Sequence, residues 1–232
     1  MSCYYDLHIH SALSPCGDND MTPNNIVNMS LIKGLDMIAV TDHNTCGNVR
    51  AVMAAAAGRI TVVPGLEVET AEAVHVACYF SAVGQAEKMA AAVRDHLPPI
   101  ANRPDIFGDQ LYMDENDQIT GREERLLVSS TTLNIEAVFR LAREFGGAAV
   151  PAHIDRDSYS VLANLGAIPP ELPVTAVEIT QSHRAVMEAQ YRDYRILTNS
   201  DAHYLEDIAE PVYQLPILSK NAEEAVKYLC RL

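Results

Sequence analysis

Short apolar runs alternate with longer amphipathic or alanine-rich stretches, a pattern that predicts repeating strand–helix units. The runs Tyr4–Ile9, Asp36–Thr41, Ile60–Val63, Val74–Phe80, Ala148–Ala152, Val174–Ile179 and Arg195–Thr198 read as strands. A helix opens at Thr22-Pro23, with Thr as N-cap and Pro in the first turn, and stops at Gly34. Further helices are predicted at Asn48–Ala57, ended by Gly58, at Gln85–Leu97, and at Ile135–Phe145 before Gly146-Gly147. Asn221–Leu232 closes the chain as a helix, with Asn221 as N-cap and Glu224 three residues on. Alternation of this kind favours a parallel α/β arrangement in one domain spanning residues 1–232.

One stretch breaks the rhythm. Residues 97–126 hold Pro98-Pro99, Pro104, Gly108, Gly121 and the acidic stretch Asp114–Asp117, without an apolar core of their own. They read as an insertion that folds over or beside the functional face, as lids and binding loops do.

Composition narrows the class. The 232 residues are 48% hydrophobic, enough for a sizeable core, and carry a net charge of −14. That charge argues against a nonspecific nucleic-acid or anionic-membrane surface, so no nucleic-acid polymer and no membrane is expected as partner. The five cysteines have irregular spacing, which suggests free thiols in a reducing compartment. No signal-peptide pattern and no spanning apolar run is seen, so a cytoplasmic location is expected. The oligomeric state is left open.

The candidate chemistry lies at the strand ends. In Asp6-Leu7-His8-Ile9-His10, side chains two apart share one side of a strand, so His8 and His10 can grip one metal. Asp42-His43, Glu67 with His75, His153, and Asp201-Ala202-His203 lie at or beside the later runs. Imidazoles and carboxylates together suit zinc, manganese or iron. Seven or more such ligands exceed one tetrahedral ion and point to a di- or trinuclear centre for metal-assisted hydrolysis. Polar ligands at strand C-terminal ends are what an α/β barrel active site requires. Arg156 and Arg184 follow strand ends on the same face and are candidate phosphate contacts.

The motifs Asp-Leu-His-Ile-His, Val-Thr-Asp-His, Pro-Gly-Leu-Glu, Val-His-Val, Val-Pro-Ala-His and Ser-Asp-Ala-His occur in that order between Asp6 and His203. In this the chain resembles the PHP family, named for polymerases and histidinol phosphatase. The resemblance implies a distorted (β/α)7 TIM-like barrel, a trinuclear metal site and phosphoesterase activity on a small phosphorylated metabolite or nucleotide. It also implies that His8, His10, Glu67 and Asp201 hold one metal. Glu67 then bridges to a second, held also by His75 and His153. His43 and His203 hold a third, together with a residue of the loop after His10, where Cys16 matches by position and Asp18 by chemistry. Glu67 and Asp201 are the residues through which the resemblance ties metals to catalysis. Asp6 and Asp42 are expected to orient ligating imidazoles.

Two other readings compete. Amidohydrolases also begin with H-x-H, but many bridge their metals with a carbamylated lysine. The four lysines here, Lys33, Lys88, Lys220 and Lys227, all fall on or beside predicted helices. The other reading is a non-catalytic metal-binding module, which turnover of a phosphoester would rule out.

Overall fold

The computed structural model describes residues 3–230. The elements run β1 (Cys3–Ile9), α1 (Pro23–Ile32), β2 (Met37–Val40), α2 (Val49–Ala56), β3 (Thr61–Glu69), β4 (His75–Tyr79), α3 (Val83–His96), α4 (Pro104–Phe107), β5 (Leu111–Met113) and β6 (Ile119–Arg122). They continue with α5 (Ile135–Glu144), β7 (Ala148–Pro151), α6 (Val161–Leu165), β8 (Ala176–Glu178), α7 (Arg184–Met187), β9 (Arg195–Leu197), a 3-10 turn (Leu205–Asp207), β10 (Gln214–Leu215) and α8 (Ala222–Cys230). The predicted end of the last helix at 231–232 lies outside the described residues.

All seven predicted strand runs are strands and the fold is mixed α/β with a curled sheet, but the pairing corrects the expected parallel arrangement. A curled six-stranded sheet has the order β10-β1-β2-β3-β4-β7, and β8 pairs only with β9. Within it β1, β2 and β3 are parallel, whereas β4 runs antiparallel to both β3 and β7. The β8–β9 pair continues the curl through isolated contacts: Ile154 N donates to Glu178 O, and His10 N to Ala202 O. Only the five residues Thr70–Val74 join β3 to β4, too few for the helical crossover a parallel pair needs.

Two apolar layers follow from period-two alternation along the strands. One set of side chains, including Ile38, Val40, Leu66, Val68, Val76 and Cys78, packs outward against α1, α2, α3 and α5. The opposite set, with Tyr5, Leu7, Ala39, Val63, Ala77, Tyr79 and Val150, fills the inside of the curl, where Ala225, Val226 and Leu229 of α8 join it. The helix caps form as the sequence predicts. The Thr22 side chain accepts from Asn25 N, and Asn221 Oδ1 accepts from Glu224 N.

Residues 97–126 form α4 and the β5–β6 hairpin, which dock beside the loop after β1. Leu111 N donates to Ala12 O, and Asn48 bridges the two parts by donating to Leu111 O and accepting from Met113 N. Leu111 and Met113 pack on Ala12, while Leu97, Leu127 and Tyr112 pack on Leu13.

Candidate metal centre

The inward face of the curl changes from apolar to ligating at one end. Along β3 it reads Val63, Gly65, Glu67; along β8 it reads Ala176, Glu178. On β4 the inward residues are His75, Ala77 and Tyr79, with His75 at the start of the strand. Because β4 is antiparallel, that start lies level with the C-terminal ends of the parallel strands. In β1 a register irregularity between Asp6 and Ile9 shifts the parity: Tyr5 and Leu7 face inward, and Ile9 packs in the outer layer. His8 and His10 therefore both face the interior.

Glu67 is the hub. His8 Nε2 and His75 Nδ1 lie 3.2 Å and 3.1 Å from its Oε1, and His153 Nε2 lies 3.3 Å from the same atom. His43 Nδ1 is 3.1 Å from Oε2, and His10 Nε2 is 3.5 Å from it. Asp201 Oδ1 stands 3.0 Å from His10 Nε2 and 3.3 Å from His8 Nε2. Yet both oxygens of buried Glu67 lack a hydrogen-bond partner, as do His43 Nδ1, His75 Nε2 and His153 Nδ1. Orphaned polar atoms in such number are costly, and each calls for an explanation. Two ligand atoms bound tetrahedrally to one ion at about 2.1 Å lie roughly 3.4 Å apart. The observed separations match that spacing, so the donor set fits cations.

Three groups converge closely enough to share an ion: His8 with His10 and Asp201, His43 with Glu67 and His75, and His10 with His43 and His203. The two candidate ligands of the loop after His10 stand in different surroundings. Cys16 stands beside His203 and His43. Asp18 Oδ1 instead accepts from Asp20 N within its own turn. Desolvation raises the Cys16 thiol, but the neighbouring His203 and His43 imidazoles outweigh it and bring the pKa down to about 6.

Burial pushes the Glu67 carboxyl up, but His75 and His8 outweigh this and hold it well below the usual carboxylate range. Burial likewise lowers His8, but Glu178, Glu67 and Asp201 raise it well above an ordinary imidazole. For His10, burial and the neighbouring His203 and His43 act together and hold its pKa well below the ordinary value. His153 and Asp201 adopt positive φ, 27° and 54°, a strain typical of residues over-determined by a functional site.

Surrounding residues orient this set. His8 Nδ1 meets Glu178, which also accepts from Asn199 Nδ2 at 2.6 Å and His153 N at 3.2 Å. The sequence reading passed over Glu178, although a carboxylate ending the apolar run Val174–Ile179 was the available signal. Asp42 acts one step removed: it accepts from Ser14 Oγ, which contacts His10 Nδ1. Asp6 orients no imidazole. Its carboxylate accepts from Ser200 N, Ser200 Oγ and Ala209 N and so ties the segment after β9 to β1.

A cavity of about 980 Å³ opens beside the cluster, lined by His153, Arg156, Asp201 and His183 among others. Arg156 pairs with Asp201 there. Arg184 lies elsewhere. Its guanidinium donates to Ile196 O and Thr198 Oγ1 and stacks on Tyr213, and it lines a separate groove. No residue of 97–126 lines the larger cavity.

A PHP domain model matches residues 6–231. The chain belongs to the PHP family. No curated protein sequence matches it significantly. The lesion-specific endonuclease PfuEndoQ from Pyrococcus furiosus superposes with a TM-score of 0.73 at 19% identity, over 99% of this chain and 56% of that one. An Endonuclease Q complex with a 27-mer duplex bearing an abasic lesion at its active site gives 0.66 at 18% identity, over 98% and 56%. This PHP chain thus spans just over half the length of those endonucleases. An amidohydrolase from Chromobacterium violaceum gives 0.62 at 19% identity, over 97% and 96%. A two-domain Bacteroides vulgatus protein with a predicted PHP-like metal-dependent phosphoesterase gives 0.59 at 15% identity, over 99% and 63%. The endonuclease likeness overturns the expectation, drawn from net charge, that a nucleic-acid polymer is excluded. Net charge is the wrong gauge, because it sums over the whole molecule and does not report the field at one face. Among the described residues, no helix is long and apolar enough to cross a membrane.

Proposed function

We propose that this PHP protein is a metal-dependent hydrolase of phosphoesters. The observation that carries this is Glu67, a buried carboxylate with both oxygens unpartnered and imidazole nitrogens of His8, His43, His75 and His153 within 3.3 Å. His8, His10, Glu67 and Asp201 would hold one ion, and Glu67, His75 and His153 a second. His43, His203 and Cys16 would hold a third, for which the placement of Cys16 is favoured over Asp18. Two or three zinc, manganese or iron ions fit this mixed set. Bound there, such ions supply Lewis acidity toward phosphoryl oxygens and a nucleophilic water at neutral pH. Glu67 and Asp201 contribute the negative charge that keeps those ions together, and Arg156, on the cavity wall, is placed to pair with a phosphoryl oxygen.

The substrate is a phosphoester of nucleotide chemistry, free or within a DNA strand, the latter supported by the likeness to Endonuclease Q. The likeness to the C. violaceum amidohydrolase supports a second reading, C–N bond hydrolysis. Against it, Lys33 Nζ donates to Glu206 O and Ile208 O, outside the cluster, and Glu67 rather than a lysine stands among the imidazoles. Elemental analysis, then turnover of phosphomonoesters, phosphodiesters, amides and a duplex with an abasic lesion, tests both. Turnover of amides alone, or metal loading without turnover of any ester, would sink the phosphoesterase reading.

A further inference from the structure

Outside the metal cluster, but on the same cavity, a second polar device stands. His183 Nδ1 lies 2.8 Å from Asp155 Oδ2. The Asp155 side chain is 2% exposed and that of His183 57%. Thr180 fixes the carboxylate twice, through its backbone N–H at 2.9 Å and through its hydroxyl. The pair therefore has a rigid buried anchor and an open imidazole face. A carboxylate on Nδ1 holds the proton of that nitrogen and leaves Nε2 as the nitrogen that meets a ligand. His183, Arg156 and Asp201 line one cavity, so a phosphoester lying beside Arg156 has His183 within the same enclosure.

We propose that His183 is the proton donor to the leaving group and Asp155 its positioning residue. The proposal rests on the phosphoesterase reading. In the step, the oxygen of water forms the new bond to phosphorus as the bond from phosphorus to the leaving oxygen breaks. The electron pair of that bond stays on the leaving oxygen, which takes the Nε2 proton of the His183 imidazolium and departs as an alcohol. The attacking water gives up one proton to solvent, and His183, now neutral, regains one from solvent.

Leaving-group chemistry separates this role from binding, because only a poor leaving group needs the proton. The test compares wild-type and H183A protein, with the metals each carries on purification, on p-nitrophenyl phosphate and on an alkyl phosphate such as glycerol phosphate. Alkyl ester turnover is expected to fall about 100-fold or more while aryl ester turnover changes by less than about 3-fold, as loss of a general acid requires. Added imidazole should restore part of the alkyl rate, since the His183 site is open to solvent. Metal content and unfolding temperature check that the variant is folded and loaded; should H183A unfold, H183Q repeats the comparison. Equal slowing of both esters, or a rise in KM alone, without imidazole rescue, overturns the proposal while the phosphoesterase reading stands. Wild-type protein inert on every phosphoester overturns both.

Discussion

His8 Nδ1 lies 3.0 Å from Glu178 Oε1, and this contact decides which face of the imidazole is left for a metal. With Nδ1 held by the carboxylate, Nε2 points at Glu67 and Asp201. Carboxylates behind ligating histidines fix tautomer and orientation, and their removal costs metal affinity about 10–100-fold. Glu178→Gln should therefore weaken metal binding by that factor. Competition with a chromogenic chelator measures it; an unchanged dissociation constant would show that Glu178 only fills space.

Glu67→Gln should do more harm to rate than to folding. Metal ions supply several kcal/mol of transition-state stabilisation, so loosening their shared carboxylate should slow turnover about 10²–10³-fold. Steady-state rates at saturating metal, set beside thermal unfolding of the metal-free forms, separate the two effects. A full rate with metals still bound would mean the bridge is assigned to the wrong residue.

Metal-free protein should have a stability optimum on the mildly acidic side. Its raised imidazoles, His8, His43 and His75, stabilise the fold fully below the unfolded value of about 6.5, and lose that contribution as pH rises through their folded values. The depressed carboxyls Glu67, Asp201 and Glu178 contribute above the unfolded value of about 4.3 or less and lose it as pH falls. His10, held low, adds to the acid-side loss. Loading with zinc should release protons and flatten the alkaline side, because ligating imidazoles must be neutral. Melting curves of chelator-treated protein from pH 4 to 9 decide, and a profile with no alkaline decline would refute the charge assignments.

Gly108 touches the site from a distance. Its φ is +97°, and an added Cβ would stand 2.1 Å from Pro15 O, one residue before Cys16. Gly108→Ala should destabilise the fold by about 1–3 kcal/mol through backbone strain and displace the loop carrying Cys16. We expect reduced metal stoichiometry before any loss at Glu67. Denaturant titration and metal counting check this, and full stoichiometry with unchanged stability would detach the 97–126 segment from the centre.

Much of the site was written in local pattern. His8, His10, His43, His75, His153, Asp201 and His203 stand at strand ends that apolar runs reveal, and period-two alternation puts Glu67 on the inner face. What could not be read is non-local. The direction of β4 depends on a turn and on pairing with β7, so the level placement of His75 emerges only in the sheet. The parity shift in β1 is invisible in the letters, since His-Ile-His reads the same with or without it. Arg184 looked like a phosphate contact because it follows a strand, but its neighbours Tyr213 and Thr198, far along the chain, draw it elsewhere. The surroundings of Cys16 and Asp18 likewise depend on the fold of the turn, where Asp20 N engages the Asp18 carboxylate.

The helix α8 seals the inside of the curl from the end opposite the ligands, with Leu229 and Val226 in the same apolar cluster as Tyr5, Leu7 and Tyr79. Cohesion and chemistry are thereby stacked as separate storeys of one molecule. Residues on the wall of the upper storey can be exchanged by mutation and selection while the lower one keeps the chain folded. Such a division lets one scaffold explore new substrates by small steps, each of them survivable.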